Sequence, residues 1–172
     1  MMPRPPVPAA RPRRFRPRGI ALMEAMIAIL LLSIGALGYA ALQMKGLSAS
    51  SSAMWRSKAS HLAYEMADRM RANRAGVVAG AYNALGAPET VTDCGAAADC
   101  SPVRMAVLDH GQWNASLANE LPGGSGVVCR DATPDDGSAE GSACDGGGTM
   151  LAVKVFWTER GVTSRLVLAV RP

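Results

Sequence analysis

The chain has 172 residues and a formal net charge of +4, with 19% charged and 5% aromatic residues. That length accommodates one membrane segment and one small domain. The positive balance sits at one end: Arg4, Arg11, Arg13, Arg14, Arg16 and Arg18 all precede Gly19 with no acid among them, which leaves 12 of the 18 basic residues against all 14 acidic ones. The remainder is slightly acidic, so nucleic acid is not indicated as a partner.

Residues 1–19 read as a removable basic leader, rich in proline. After it, Ala25 to Leu42 carries no charge, and Ser33 is its only strongly polar side chain. At about 1.5 Å per residue, Ile20 to Leu42 is long enough to cross the ~30 Å hydrocarbon core of a bilayer. A secretory signal has an apolar core of only about 7–15 residues before its cleavage site, and this run is longer. A signal anchor fits better, with the arginines inside and the rest of the chain translocated. Neither reading accounts for Glu24. An acid at the centre of a spanning helix costs about 2.5–3.5 kcal/mol, less near the helix end, so it demands a partner. Cleavage after Gly19 would create one, an α-amino group on Ile20 one helical turn from Glu24. Between neighbouring subunits, that amine and Glu24 would neutralise each other and select register.

The stretch Arg18-Gly19-Ile20-Ala21-Leu22-Met23-Glu24 with its apolar continuation resembles the class III signal of type IV prepilins. The resemblance implies a prepilin peptidase that cuts after Gly19 and methylates Ile20, with Glu24 as the assembly glutamate. The family usually has Phe or Met after the cut; here it is Ile20.

Beyond Leu42 the pattern becomes amphipathic. Trp55, Ala59, Leu62, Met66 and Met70 recur every three to four residues, flanked by Ala63 and Ala67. One helix of roughly fifty residues is expected, from Ile20 to near Asn73, apolar all round first and single-striped afterwards. Gly35, Gly38 and Gly46 are weak points in it, each costing about 1 kcal/mol relative to Ala. The serine run from Ser48 to Ser52 reads equally as weak helix or joint.

Residues 77–102 read as a loop. Met105, Leu108, Trp113, Leu117 and Leu121 suggest a second helix, stopped by Pro122-Gly123-Gly124. Gly126 to Arg130 reads as a short strand. Asp131 to Gly148 reads as a solvated, acidic, glycine-rich loop. The end is a hairpin: Leu151, Val153, Val155 and Trp157 alternate with Ala152, Lys154 and Phe156, Glu159-Arg160-Gly161 turns, and Val162 to Val170 returns. The fold class expected is α+β, with the second half of the long helix packed on a small antiparallel sheet. The divisions are a leader at 1–19, a transmembrane and assembly helix at 20–42, its amphipathic continuation at 43–76, and a globular domain at 77–172.

Cys94, Cys100, Cys129 and Cys144 all follow the membrane segment. With the arginines inside, they face an oxidising compartment. Four cysteines allow three pairings, and the local ones, Cys94–Cys100 and Cys129–Cys144, each close a short loop. Their gaps match no zinc motif, and no His lies near them. Asp131, Asp135, Asp136, Glu140 and Asp145 lack the spacing of a calcium loop. Asp109 and His110 are adjacent, hence about 100° apart on a helix, and form no catalytic dyad. No metal, cofactor or enzymatic activity is expected.

Leu62 to Arg74, which contains Met66-Ala67-Asp68-Arg69-Met70-Arg71-Ala72-Asn73-Arg74, resembles the modification minor pilins of the PilV group. Leu121-Pro122-Gly123-Gly124 and the strand Val153 to Trp157 share the likeness. The resemblance implies a minor pilin, processed by prepilin peptidase, held in inner-membrane lipid with its C-terminal domain periplasmic, then incorporated into a pilus at the cell surface. Its partners would be other minor pilins and the major pilin, in assembly, twitching motility or adhesion. A minor pseudopilin of type II secretion would share the N-terminal chemistry. A signal-anchored periplasmic binding module is the alternative that never assembles.

Overall fold

The computed structural model describes residues 20–85, 88–90, 94 and 100–171. The chain divides into two compact units, Met1–Leu47 and Ser48–Pro172. Helix α1 runs from Ile20 to Ala72, 53 residues. It stays helical through Gly35, Gly38, Gly46 and the serine run. Ser33 is accommodated because its hydroxyl donates to the Ile29 carbonyl at 2.7 Å, one turn back.

In the second unit, Ala59, Leu62, Ala63, Met66, Ala67 and Met70 of α1 are buried, and Trp55 packs against them. Their spacing of three and four places all six on one face. The helix breaks at Asn73, whose side chain accepts from the Gly76 amide at 3.2 Å and opens a short helix α2, Arg74–Val78. The sequence reading ended the helix near Asn73, and α1 does end at Ala72; the Asn73 side chain then caps a fresh short turn.

Helix α3, Pro102–Glu120, begins on Ser101, whose hydroxyl accepts from the Arg104 amide, with proline at its first position. Trp113 and Leu117 fill the core from α3, and the Trp113 indole donates to the Leu62 carbonyl at 2.8 Å. Gly126 lies under the Trp113 ring, in space that a side chain would occupy.

Strands β1 (Ser125–Arg130), β2 (Leu151–Glu159) and β3 (Val162–Val170) form one antiparallel sheet in the order β1-β2-β3. Arg160 and Gly161, with φ of 52° and 78°, make the two-residue hairpin turn. Glu159 belongs to β2 and pairs with Val162, so the turn is tighter than the three residues read from the sequence. The architecture is α+β: a long N-terminal helix whose second half packs against a small three-stranded sheet.

One expectation is corrected. The packing expected from the sequence set the long helix against the sheet and left residues 131–148 in solvent. In fact Leu151 to Trp157 are all buried, Lys154 included. The helix covers one face, and the acidic segment 131–148, read as a solvated loop, lies across the other and holds Lys154.

Candidate functional site

The first candidate surface is the N-terminal half of α1. Gly19 lies outside the described residues, and α1 begins at Ile20. Glu24 is exposed one turn later, and no hydrogen bond or ion pair reaches it among the described residues. Leu22, Met26, Leu30, Leu32, Leu37 and Leu42 are exposed as well. The most apolar 18-residue window has a mean hydropathy of 2.2, and α1 is long and apolar enough to cross a membrane. A surface of this kind is stable in water only when something covers it.

The second feature is a buried clasp on β2. Lys154 Nζ lies 2.5 Å from Asp131 Oδ2 and 2.9 Å from Asp136 Oδ1, and donates to the Ser142 carbonyl at 2.8 Å. Burial works to lower the Lys154 pKa, but hydrogen bonds and charge from the two aspartates outweigh it and raise the pKa. Asp131 is held below the usual carboxylate range, chiefly by its bond to Lys154 and against burial, with help from the Thr133 amide at 3.0 Å. Arg165 fastens the same segment, donating to the carbonyls of Gly137 at 2.6 Å and Asp135 at 2.8 Å.

The structure joins Cys94 to Cys100 and Cys129 to Cys144. Cys129, Asp131 and Cys144 bring three ligand-type atoms within 4.8 Å of one another. The two sulfurs are bonded to each other and the carboxylate to Lys154, so this group has no free thiolate to offer a metal. The remaining acids are likewise engaged: Asp135 by Arg165, Glu140 by Ser138, and Asp145 by the amides of Ala132 and Gly147.

The third feature ties α1 to α3. Arg69 donates to Glu65 at 2.8 Å and Gln112 at 2.9 Å, and lies 3.4 Å from Asp109. The Tyr82 hydroxyl donates to Asp109 at 2.5 Å and accepts from Asn73 at 3.1 Å. Burial first, then the Asp109 bond, push the Tyr82 pKa up. Asp109 thus orients Tyr82 and Arg69, while burial keeps His110 below its ordinary pKa. The Asn114 amide, 3.1 Å from His110 Nε2, makes that nitrogen an acceptor and the ring neutral. This cluster fixes the packing of two helices. The sequence hinted at it only as Asp109 and as the polar members of the 66–74 run.

A family model described as type IV pilin Tt1218 (Tt1218-like) matches residues 41–110, less than half of the chain. The match supports a type IV pilin. It spans the second half of α1 through to His110, so it contains Arg69, Asn73, Tyr82 and Asp109 but neither Glu24 nor the sheet. No curated protein and no solved structure matches the chain.

Proposed function

We propose that this chain is a minor pilin of the type IV pilus, of the PilV kind. Prepilin peptidase removes residues 1–19 and methylates Ile20. The chain waits in the inner membrane with residues 77–172 in the periplasm, then leaves the lipid for the filament, where it contacts the major pilin and other minor pilins and modifies or primes the fibre for adhesion or twitching motility.

The observation that carries this reading is the exposed apolar half of α1 with Glu24 one turn from its start. Lipid can cover the apolar side chains but offers a carboxylate nothing, whereas a neighbouring helix that begins with an amine covers both. The family match at 41–110 supports the same assignment from the adjoining stretch.

Intact mass and N-terminal sequencing of membrane-extracted protein test it, with and without the peptidase. The expected result is a chain starting at methylated Ile20 only when the peptidase is present. A retained leader, or a cut elsewhere, would remove the proposal.

A further inference from the structure

The two edges of the sheet are treated differently. In the β1–β2 register, Ser125, Val127 and Cys129 lie opposite Phe156, Lys154 and Ala152. The hairpin turn makes Glu159 and Val162 a hydrogen-bonded pair, and alternation along an antiparallel ladder then fixes which backbone groups face outward. On β1 these belong to Gly126, Val128 and Arg130. All three are capped from within the chain: the Gly126 amide by Asn114 at 2.9 Å, the Val128 carbonyl by the Ala84 amide at 3.1 Å, and the Arg130 amide by Asn83 at 2.9 Å. The Arg130 carbonyl also accepts from Gly146 at 3.0 Å.

The β3 edge has no such closure. Its outward groups belong to Thr163, Arg165, Val167 and Ala169, and among the described residues no donor or acceptor reaches them. Edges are ordinarily protected by shortness, bulges, proline or charge. β3 is nine residues long, pairs with β2 without a break in register, and contains no proline. Its one charged side chain, Arg165, is turned onto the 131–148 segment. Leu166 and Leu168 remain only partly buried against the core.

We infer that the open edge of β3 receives an added strand from a different protein, an extended segment that alternates apolar with acidic side chains. Alternation follows from the two faces. Leu166, Leu168 and Val170 lie on the core side of β3, so an added strand extends the apolar layer there. On the other side Arg165 is already held by the 131–148 segment, whereas Arg171, just past the strand's end, carries no hydrogen bond or ion pair among the described residues, and an acidic residue matches it. From Arg160 to Arg171 the chain carries three arginines and no acid. The same charges argue against a second copy, because self-pairing would bring two such strands about 4.8 Å apart. An acidic partner also finds Arg74 beside Arg171, lining a cleft of about 280 Å³ with Met70, Val77, Leu151 and Val170. The inference concerns the Ser48–Pro172 unit and stands apart from processing at Gly19.

The test uses the full chain in detergent micelles and two fluorescein-labelled nonapeptides, one alternating Glu with Val and the other Lys with Val. Fluorescence anisotropy should show the Glu peptide binding roughly tenfold or more tightly than the Lys peptide. Val167→Pro removes one outward amide and no bond to β2, and should weaken the Glu peptide by a similar factor while tryptophan-monitored melting holds. Should that variant misfold, Arg171→Glu, at an exposed position, should abolish the preference for the Glu peptide. Equal binding of the two peptides, or Arg171→Glu with its preference intact, overturns the inference. So does a concentration-dependent dimer that Val167→Pro dissolves, since a second copy would then be the occupant.

Discussion

Glu24 and Lys154 pose the same physical problem and resolve it in opposite ways. Both are single charges on otherwise apolar stretches, Glu24 in α1 and Lys154 in β2. Lys154 is completely buried and receives two carboxylates and two backbone carbonyls from one segment of its own chain. Glu24 is exposed and receives nothing among the described residues. A closed clasp stabilises a fold, while an open one states what the fold lacks. The buried charge of the globular unit is therefore answered from within the chain, and Glu24 is not, among the described residues.

The largest effect should come from breaking the closed clasp. Lys154→Met leaves Asp131 buried without its cation and should cost about 3–5 kcal/mol of stability. Buried Trp113 and Trp157 report it as an earlier urea midpoint in the fluorescence of the full chain in detergent. Adding Asp131→Leu should recover much of the loss, because the orphaned charge goes with it. Glu24→Ala should leave the same midpoint within about 0.5 kcal/mol, as surface changes do. If the two single variants destabilise equally, the contrast between the sites is wrong.

Next in size is the disulfide beneath the clasp. Cys129 and Cys144 are 15 residues apart in sequence, the first just ahead of the acidic segment and the second within it, so the bridge closes most of that segment into a loop. Replacing both with Ser restores loop entropy to the unfolded chain and should cost about 3 kcal/mol, measured by the same unfolding curve. Combining it with Lys154→Met should cost less than the two losses added, since both hold one segment. Full additivity would mean that the bridge and the clasp act on different structures.

The legibility of these features follows the range of the physics involved. The stripe from Ala59 to Met70 and the alternation from Leu151 to Val170 are local, with periods of 3.6 and 2. They could be read off the chain. The covering of the second sheet face could not. Lys154 among Val153, Val155 and Phe156 has the look of an outward residue on a half-buried strand, and Asp131 and Asp136 have the look of a solvated loop. Only their meeting in space turns two polar signals into one buried bond. A lone lysine in so apolar a strand, preceded by acids, was the available hint. Tyr82 and Asp109 lie 27 residues apart, so their bond was equally hidden.

Acid should separate the buried groups by pH. His110 has a lowered pKa, so its contribution is present above the ordinary value of 6.5 and is lost as pH falls from there through its folded value. Asp131 is lowered as well, from 3.8, so its share holds above that value and goes only in stronger acid, as pH falls through the folded value. Lys154 is raised from 10.5, so its share is complete below that value and is lost as pH climbs through the folded value. Stability measured against pH should therefore start to decline below about 6.5 through His110, before Asp131 titrates. His110→Gln should flatten that first decline and leave the second. A first decline that survives in His110→Gln would assign it to another group.

The smallest effect sharpens the comparison most. Arg71 and Asp68 also meet at 2.5 Å, the separation of Lys154 and Asp131, but their side chains are 64% and 70% exposed against 0% and 0%. Water already solvates each partner of the outer pair, and salt screens what attraction remains, so Asp68→Ala should cost no more than about 0.5 kcal/mol. The inner pair has no water to fall back on, so losing one partner exposes the full desolvation of the other. With distance held equal, burial alone should separate the two variants by several-fold in unfolding free energy. An Asp68→Ala loss that rivalled Lys154→Met would mean that contact distance, not solvent exclusion, sets the strength of ion pairs in this domain.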